Sequence, residues 1–190
     1  MAKITIISGS PSKNSRTEKF IRYLETKLHA SDAQIHRIFV RDFSSDDLVY
    51  ANFESDAIRD SIQEIEESDA VVVATPVYKA AYTGLLKIYL DMLPQGIFTS
   101  KIIYPLVVGG SPAHLLVIDY ALKPILCALG ARTILPGIYC LDSQVSEDGQ
   151  GGISVQGDLK KRFDSGIEEL LNRMLPNQTN EQLYVGGNRS

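Results

Sequence analysis

Apolar runs and apolar stripes at helical spacing alternate along this chain, and the alternation predicts its elements. The run at 69–76 is the clearest strand, because its β-branched run around three consecutive valines shows no alternation and suits a parallel strand covered on both faces. Pro136 lies inside another run, and proline within a sheet is confined to edge strands and bulges. We expect that strand to be at an edge or bulged. Besides 69–76, strands are predicted at 3–8, 34–40, 102–108 and 133–141.

Apolar residues recurring every three or four positions predict helices between these strands. The spacing is clearest for Phe20, Leu24 and Leu28, which share one face. The stretches 42–53 and 147–157 are predicted as loops, the second because it carries four glycines. The predicted helices cover 15–29, a stretch starting near 55, then 83–93, 113–129 and a last segment from 158 that Pro176 ends.

Strict alternation of strands and helices predicts an α/β fold with a parallel sheet between two helical layers. The best match is a flavodoxin-like three-layer sandwich of five strands in the order 2-1-3-4-5. We expect one domain over 1–175 and a polar, mobile tail over 176–190. Ligands bind where such a sheet changes direction, beyond the carboxyl ends of its strands. The loops predicted to meet there are 9–17, 75–84 and 109–114.

The composition narrows the function classes. The chain has 190 residues, 44% of them hydrophobic, and a formal net charge of −4, which is typical of soluble globular proteins. A nucleic-acid binder would show a clustered basic surface instead. No apolar run approaches the length that spans a membrane, and no signal peptide is evident, so we expect a cytoplasmic protein that binds neither nucleic acid nor membrane. Cys127 and Cys140 have no metal-type spacing, and no metal site is predicted.

The loop after the first strand is rich in hydroxyl groups and opens a helix. The backbone N–H groups and the positive dipole end of that helix favour an anion. Ser10, Ser15 and Thr17 add hydroxyl donors, and Arg16 adds a cation. The loop is neither a Walker motif nor a dinucleotide fingerprint. The sequence therefore predicts a phosphate site of another type, or else an ordinary turn with Ser15 as the helix cap.

Two longer stretches carry a resemblance to a known family. They are Thr75-Pro76-Val77-Tyr78-Lys79-Ala80-Ala81-Tyr82-Thr83-Gly84 and Gly109-Gly110-Ser111-Pro112-Ala113-His114-Leu115-Leu116, followed by Asp119-Tyr120-Ala121-Leu122-Lys123-Pro124. Together they resemble the NADPH-dependent FMN reductases of the flavodoxin-like superfamily. Within it they are most similar to the flavin reductase component of the two-component alkanesulfonate monooxygenase systems of sulfur metabolism.

This resemblance implies a role for each of the three loops. The first loop would hold the FMN phosphate, the second would line the isoalloxazine ring, and the third would complete the ring's other edge. The residues implied are Ser10, Ser15, Arg16 and Thr17 in the first loop, Pro76, Val77, Tyr78 and Lys79 in the second, and Gly109, Gly110, Ser111 and His114 in the third.

Other interpretations of three of these residues stay open. Tyr78 is either a face for the ring or an aromatic that packs at a strand end. Lys79 either steers the NADPH phosphate or is a solvated surface charge. His114 either lies beside the flavin or only begins the fourth helix.

The fourth helix contains Pro124, which leaves the carbonyl of Tyr120 without its helical partner. A kink or a π turn accommodates such a defect. Some members of the resembled family have a π turn with an inserted tyrosine here, at a subunit interface, and Tyr120 is the matching residue. The helix is apolar on several faces, which favours a homodimer or homotetramer formed through it over a fully internal helix.

The implied reaction is hydride transfer from NADPH, or NADH, to FMN. This chemistry requires two rings held in contact and no general acid or base, so no catalytic residue is predicted. FMN would be a substrate or a loosely held cofactor, and reduced FMN would pass to a partner monooxygenase. The alternatives are a quinone or azo-compound reductase with tightly bound FMN, a flavodoxin-type electron carrier, and an interaction module without flavin.

Overall fold

A parallel sheet forms the centre of the protein in a computed structural model that describes residues 2–147 and 153–174. Its main strands are ordered β2-β1-β3-β5, with β6 and β7 both on the far side of β5. The strands are β1 Lys3–Ser8, β2 Gln34–Phe39, β3 Ala70–Tyr78, β4 Ala81–Tyr82, β5 Ile102–Gly109, β6 Thr133–Ile134, β7 Ile138–Leu141, β8 Val145–Glu147 and β9 Ile153–Val155.

The flavodoxin-like fold is confirmed. The strand order differs slightly from the predicted 2-1-3-4-5, because β4 pairs only with β3 and the edge strand is interrupted into β6 and β7. Two additions modify the predicted sheet. β4 pairs antiparallel with the end of β3, and β8 pairs antiparallel with β9 within the predicted glycine-rich loop. Residues 148–152 of that loop and the predicted tail over 176–190 lie outside the described residues.

Helices cover both faces of the sheet and bury two apolar clusters. On one face, α1 and α6 pack Phe20, Leu24 and Phe163 against the strands. On the other, α3, α4 and a composite fourth helix bury Tyr89 and Leu126. The α helices are α1 Arg16–Leu28, α2 Ser45–Val49, α3 Asp56–Glu66, α4 Gly84–Asp91, α5 Lys123–Ala128 and α6 Gly157–Met174, and a π helix covers Ile118–Leu122. No helix of the described residues is long and apolar enough to cross a membrane.

The prediction of a loop over 42–53 is wrong, because that stretch contains α2. Ser44 caps this helix by accepting a hydrogen bond from the Asp47 N–H at 3.5 Å. The carboxylates of Asp46 and Asp47 in the first turn interact favourably with the positive end of the helix dipole. Leu48 is its buried residue. One buried apolar position in a little over one turn gives no periodicity to detect.

The edge strand breaks at 135–137, where proline had indicated an edge or a bulge. Ile134 pairs with Ile103 and Ile138 pairs with Leu106, so residues 135–137 lie opposite 104–105 and one residue is extra. Such an insertion is a β-bulge. Gly137 has φ +72°, and a Cβ there would lie 2.5 Å from the Pro105 carbonyl oxygen. Both expectations for this strand, edge and bulge, are confirmed.

Substituting Gly137→Ala should therefore destabilise the fold by at least about 2 kcal/mol, from left-handed strain together with overpacking. Urea unfolding measures the change. Gly84→Ala is the matched control, because a Cβ at this first helical position meets no atom within 4 Å. The control should change the unfolding free energy by less than about 1 kcal/mol. Equal effects of the two variants would contradict this account of the bulge.

Candidate functional site

The three loops expected to meet do lie together at the carboxyl ends of β1, β3 and β5. The Gly9 N–H donates to the Ala74 carbonyl at 2.8 Å, joining the first loop to β3. Thr83 Oγ1 donates to the Gly9 carbonyl at 2.7 Å, joining it to the start of α4. Pro76 pairs with Val108, one residue before the third loop. This edge of the sheet is where open α/β folds bind ligands.

The first loop brings Ser10 and Ser15 into direct contact. Their Oγ atoms are 2.7 Å apart, and Ser10 Oγ also donates to the Ser12 carbonyl at 3.3 Å. Ser15 caps α1, since its Oγ accepts a hydrogen bond from the Glu18 N–H at 3.2 Å. The capping interpretation of Ser15 is thus correct. It is compatible with anion binding, because a cap leaves other first-turn N–H groups with no acceptor inside the helix.

Thr17 supplies the test of whether this loop suits a phosphate. Its Oγ1 is buried and has no hydrogen-bond partner among the described residues. A buried hydroxyl without a partner is costly, and a phosphate oxygen at the start of α1 would satisfy it. Arg16 precedes it at the first position of the helix and is partly buried. The residues present therefore fit a phosphate group.

A buried ion pair beneath this loop was missed from the sequence. Arg41 Nη1 donates to Glu18 Oε1 at 2.8 Å and to the Ser10 carbonyl at 3.3 Å. Ser8 Oγ donates to the same carboxylate oxygen. The side chains of Arg41 and Glu18 are only 11% and 5% exposed. The available signal was a glutamate three residues after the capping serine, together with an arginine just after the strand that neighbours β1.

The second loop is a hairpin rather than a simple strand end. β3 continues through Tyr78 and turns back into β4 through Lys79 and Ala80, whose φ angles are +50° and +63°. Two left-handed residues in a two-residue turn indicate a type I′ hairpin, which normally uses Asn-Gly. Pro76 and Val77 are half-buried, while Tyr78 is 54% exposed and Lys79 is exposed. Tyr78 therefore does not belong to the core.

In the third loop, Gly109 is required by a protein side chain. A Cβ at Gly109 would collide with the Tyr139 hydroxyl, which donates to the Ser111 carbonyl at 2.6 Å. Ser111 Oγ accepts a hydrogen bond from the Ala113 N–H at 3.2 Å, and His114 ends the short turn that follows. By contrast, a Cβ at Gly110 would meet nothing within 4 Å. A ligand could therefore approach the backbone closely at Gly110, whereas the space at Gly109 is taken by Tyr139. Tyr139 is a structural residue of the site that was not predicted from the sequence.

Burial makes two nearby titratable groups poor proton donors. It raises the pKa of the Tyr139 hydroxyl, with Asp142 adding to the shift. It also raises the pKa of the Cys140 thiol, so the reactive thiolate form is disfavoured. Both groups stay neutral near pH 7.

The fourth helix contains the predicted π turn. The Lys123 N–H donates to the Ile118 carbonyl, five residues back, immediately before Pro124. Tyr120 lies in this turn and is 79% exposed, and Leu115 and Leu116 are also more than half exposed. β4 contacts the same π helix. The π turn, the hairpin of the second loop and the exposed apolar side chains therefore lie next to one another.

Comparison with known proteins places this arrangement among flavin reductases. The profile of the NADPH-dependent FMN reductase family matches residues 2–146. The chain is 40% identical over 166 residues to FMN reductase (NADPH) of Escherichia coli K12, covering 87% of this chain and 86% of that one. It is 30% identical over 143 residues to NADH-dependent FMN reductase SfnF of Pseudomonas putida, covering 72% and 76%. The crystal structure of an NADH:FMN oxidoreductase (EMOB) in its apo form superposes with a TM-score of 0.83 at 34% identity, covering 94% and 92%.

The hairpin turn leads to a stability prediction. Ala80→Gly should stabilise the fold by about 0.5–1 kcal/mol, because relief of left-handed strain exceeds the entropy that glycine loses on folding. Urea unfolding measures this change. Ala57→Gly is the control, since Ala57 lies in α3 in the right-handed region and glycine there should destabilise by about 1 kcal/mol. Destabilisation by both substitutions would contradict the strain at Ala80.

Proposed function

Because the chain belongs to the NADPH-dependent FMN reductase family, we propose that its three strand-end loops bind FMN as a substrate that leaves after reduction. The protein is an NAD(P)H:FMN oxidoreductase. The proposal concerns which residues hold the flavin, where reduced flavin goes, and how the subunits assemble. It rests chiefly on the Thr17 hydroxyl, which is buried without a partner at the start of α1.

Ser10, Ser15, Arg16 and Thr17 form the phosphate subsite in this proposal. The α1 N-terminus attracts the phosphate, and the three hydroxyl groups donate to its oxygens. Thr17 has the strongest support, since the other two hydroxyls already contact each other.

Pro76, Val77, Tyr78 and Lys79 line the flavin ring from the hairpin, with Gly110, Ser111 and His114 at the opposite edge. Gly109 acts indirectly by making room for Tyr139. When bound, FMN supplies the atom that accepts the hydride from the nicotinamide. The chain's own task is to hold one ring face, admit the nicotinamide to the other and exclude water. The half-buried Pro76 and Val77 suit the covered face.

Exposure of the ring subsite supports release of the flavin. Tyr78 is more exposed than buried, and Gly110 is exposed with open space around it. A ring held against such a surface keeps much of its contact with water, so its binding is only moderately tight. We infer that reduced FMN is delivered to a partner monooxygenase, in keeping with the resemblance to the flavin reductases of two-component systems.

The exposed apolar surface around the π turn is the proposed subunit contact. Tyr120, Leu115 and Leu116 present large apolar side chains on one short segment. Contiguous exposed apolar residues mark interaction sites more often than chance exposure does. A homodimer or homotetramer formed here would bring a second copy close to the flavin hairpin, which contacts the same helix through β4.

The site and the reaction are tested together by NADPH oxidation in air with FMN or riboflavin as acceptor. Turnover should depend on added FMN and saturate with it. Thr17→Val should raise the KM for FMN roughly tenfold or more, since a hydrogen bond to a charged group is worth about 1.5–3 kcal/mol. The KM for riboflavin, which has no phosphate, should stay unchanged. Thr26→Val is the control, because Thr26 lies at the far end of α1, where its hydroxyl donates to the Tyr23 carbonyl.

Two results would contradict this proposal. Turnover that needs no added FMN, but requires a quinone or azo acceptor, would make the flavin a fixed cofactor. An equal effect of Thr17→Val on FMN and on riboflavin would place the phosphate elsewhere.

The subunit contact is tested by size-exclusion chromatography with light scattering. Leu116→Glu should reduce the oligomeric state at micromolar concentration, because it places a charge in an apolar contact. Leu116→Met, which preserves the apolar surface, should leave the oligomeric state unchanged. An unchanged mass for Leu116→Glu would place the interface elsewhere.

A further inference from the structure

We propose that Arg41 is a positioning residue that cancels the charge of buried Glu18, so that the first loop accepts the flavin phosphate. This inference rests on the phosphate subsite proposed above. It concerns neither a direct contact with the phosphate nor the hydride step. Its consequence is selectivity for FMN over a flavin without a phosphate.

Glu18 is an unusual residue to find at an anion site. It lies three residues after the cap of α1, and its side chain is 5% exposed. Its backbone N–H bonds the Ser15 hydroxyl, which itself contacts Ser10. A carboxylate beneath these serines would repel a phosphate bound above them, and burial would weaken solvent screening of that repulsion.

Arg41 is placed to remove that repulsion. A single nitrogen, Nη1, donates both to the Glu18 carboxylate and to the Ser10 carbonyl, so one cation neutralises the carboxylate and fixes the loop. The guanidinium also stacks on the Phe39 ring at 4.4 Å, which limits its movement. Its Nε lies 3.8 Å from an exposed Asp42 carboxylate, which solvent screens. Among the described contacts of Arg41, the buried charged groups are therefore its own guanidinium and the Glu18 carboxylate.

A second ion pair, between α1 and β2, provides an internal comparison. Arg37 on β2 is ion-paired with Glu25 on α1, whose side chain is also nearly buried. Glu25 lies two helical turns beyond Glu18 and away from the first loop. Both pairs join an arginine in or just after β2 to a nearly buried glutamate of α1. They differ in distance from the phosphate subsite and in exposure of the arginine, which is 47% for Arg37 and 11% for Arg41. A general loss of stability would affect both pairs, whereas an effect on flavin selectivity should come from Arg41 alone.

The experiment measures the dissociation constants of oxidised FMN and riboflavin by quenching of flavin fluorescence, without NADPH. Arg41→Gln should weaken FMN binding by about tenfold or more, because it leaves a buried carboxylate unpaired near the phosphate. Riboflavin binding should change by less than about threefold, since riboflavin carries no charge for the carboxylate to repel. Arg37→Gln should change neither constant.

The double variant Glu18→Gln/Arg41→Gln separates charge from geometry. It removes both charges and keeps side chains able to hydrogen bond, so FMN affinity should recover to within about threefold of the unmodified protein. If Arg41→Gln alone fails to fold, the double variant can still be measured, because it leaves no unpaired charge buried.

Three outcomes distinguish this inference from the proposal beneath it. A double variant as impaired as Arg41→Gln would mean that Arg41 acts by fixing the loop or by holding the phosphate itself, and the charge-balancing role would be wrong. Full FMN affinity in Arg41→Gln, with weakened binding in Thr17→Val, would refute the inference and leave the phosphate subsite standing. Full FMN affinity in both variants would overturn the subsite as well.

Discussion

The hydrogen bond from Thr83 to the Gly9 carbonyl is the contact on which the site's geometry depends. Thr83 Oγ1 also accepts from the Leu86 N–H and so caps α4, while its own N–H donates to Thr75 Oγ1. One buried side chain thereby ties the end of β1, the end of β3 and the start of α4 together. Gly9 has to be glycine for this purpose, because a Cβ would lie 2.5 Å from Leu86 Cβ.

The site is built from polar groups that are satisfied mainly by one another. Ser8, Ser10, Ser15 and Glu18 form a largely buried network within and beneath the first loop, and Tyr139 holds the third loop from below. Such networks rigidify a region when their members have partners. Reduction by hydride transfer requires positioning more than acid–base chemistry. A rigid polar network beneath an open, partly apolar surface meets that requirement for positioning.

The sequence predicted the fold better than the details of the site. Three consecutive valines at 71–73 and proline at 136 limit the backbone so strongly that local reasoning identified the central strand and the interrupted edge. Proline at 124 indicated a kink or a π turn, and the family resemblance favoured the π turn. The ion pair between Arg41 and Glu18 was not predicted, because it joins residues that are 23 positions apart and whose contact depends on strand order. The need for glycine at 109 was attributed to a ligand, yet it comes from Tyr139, a residue 30 positions away. Contacts between distant segments carry no local signature.

The π turn also separates α5 from the short turn that carries Leu115 and Leu116. It holds one residue more than an α-helical turn, and each residue of an α helix advances by about 100° around the axis. Side chains before the turn are therefore rotated relative to those after it. Leu122 and Leu126 face the sheet, while Leu115 and Leu116 face outward. Loss of a single residue from this turn would rotate the short segment before it by about 100° relative to α5 and would direct the two outward leucines elsewhere.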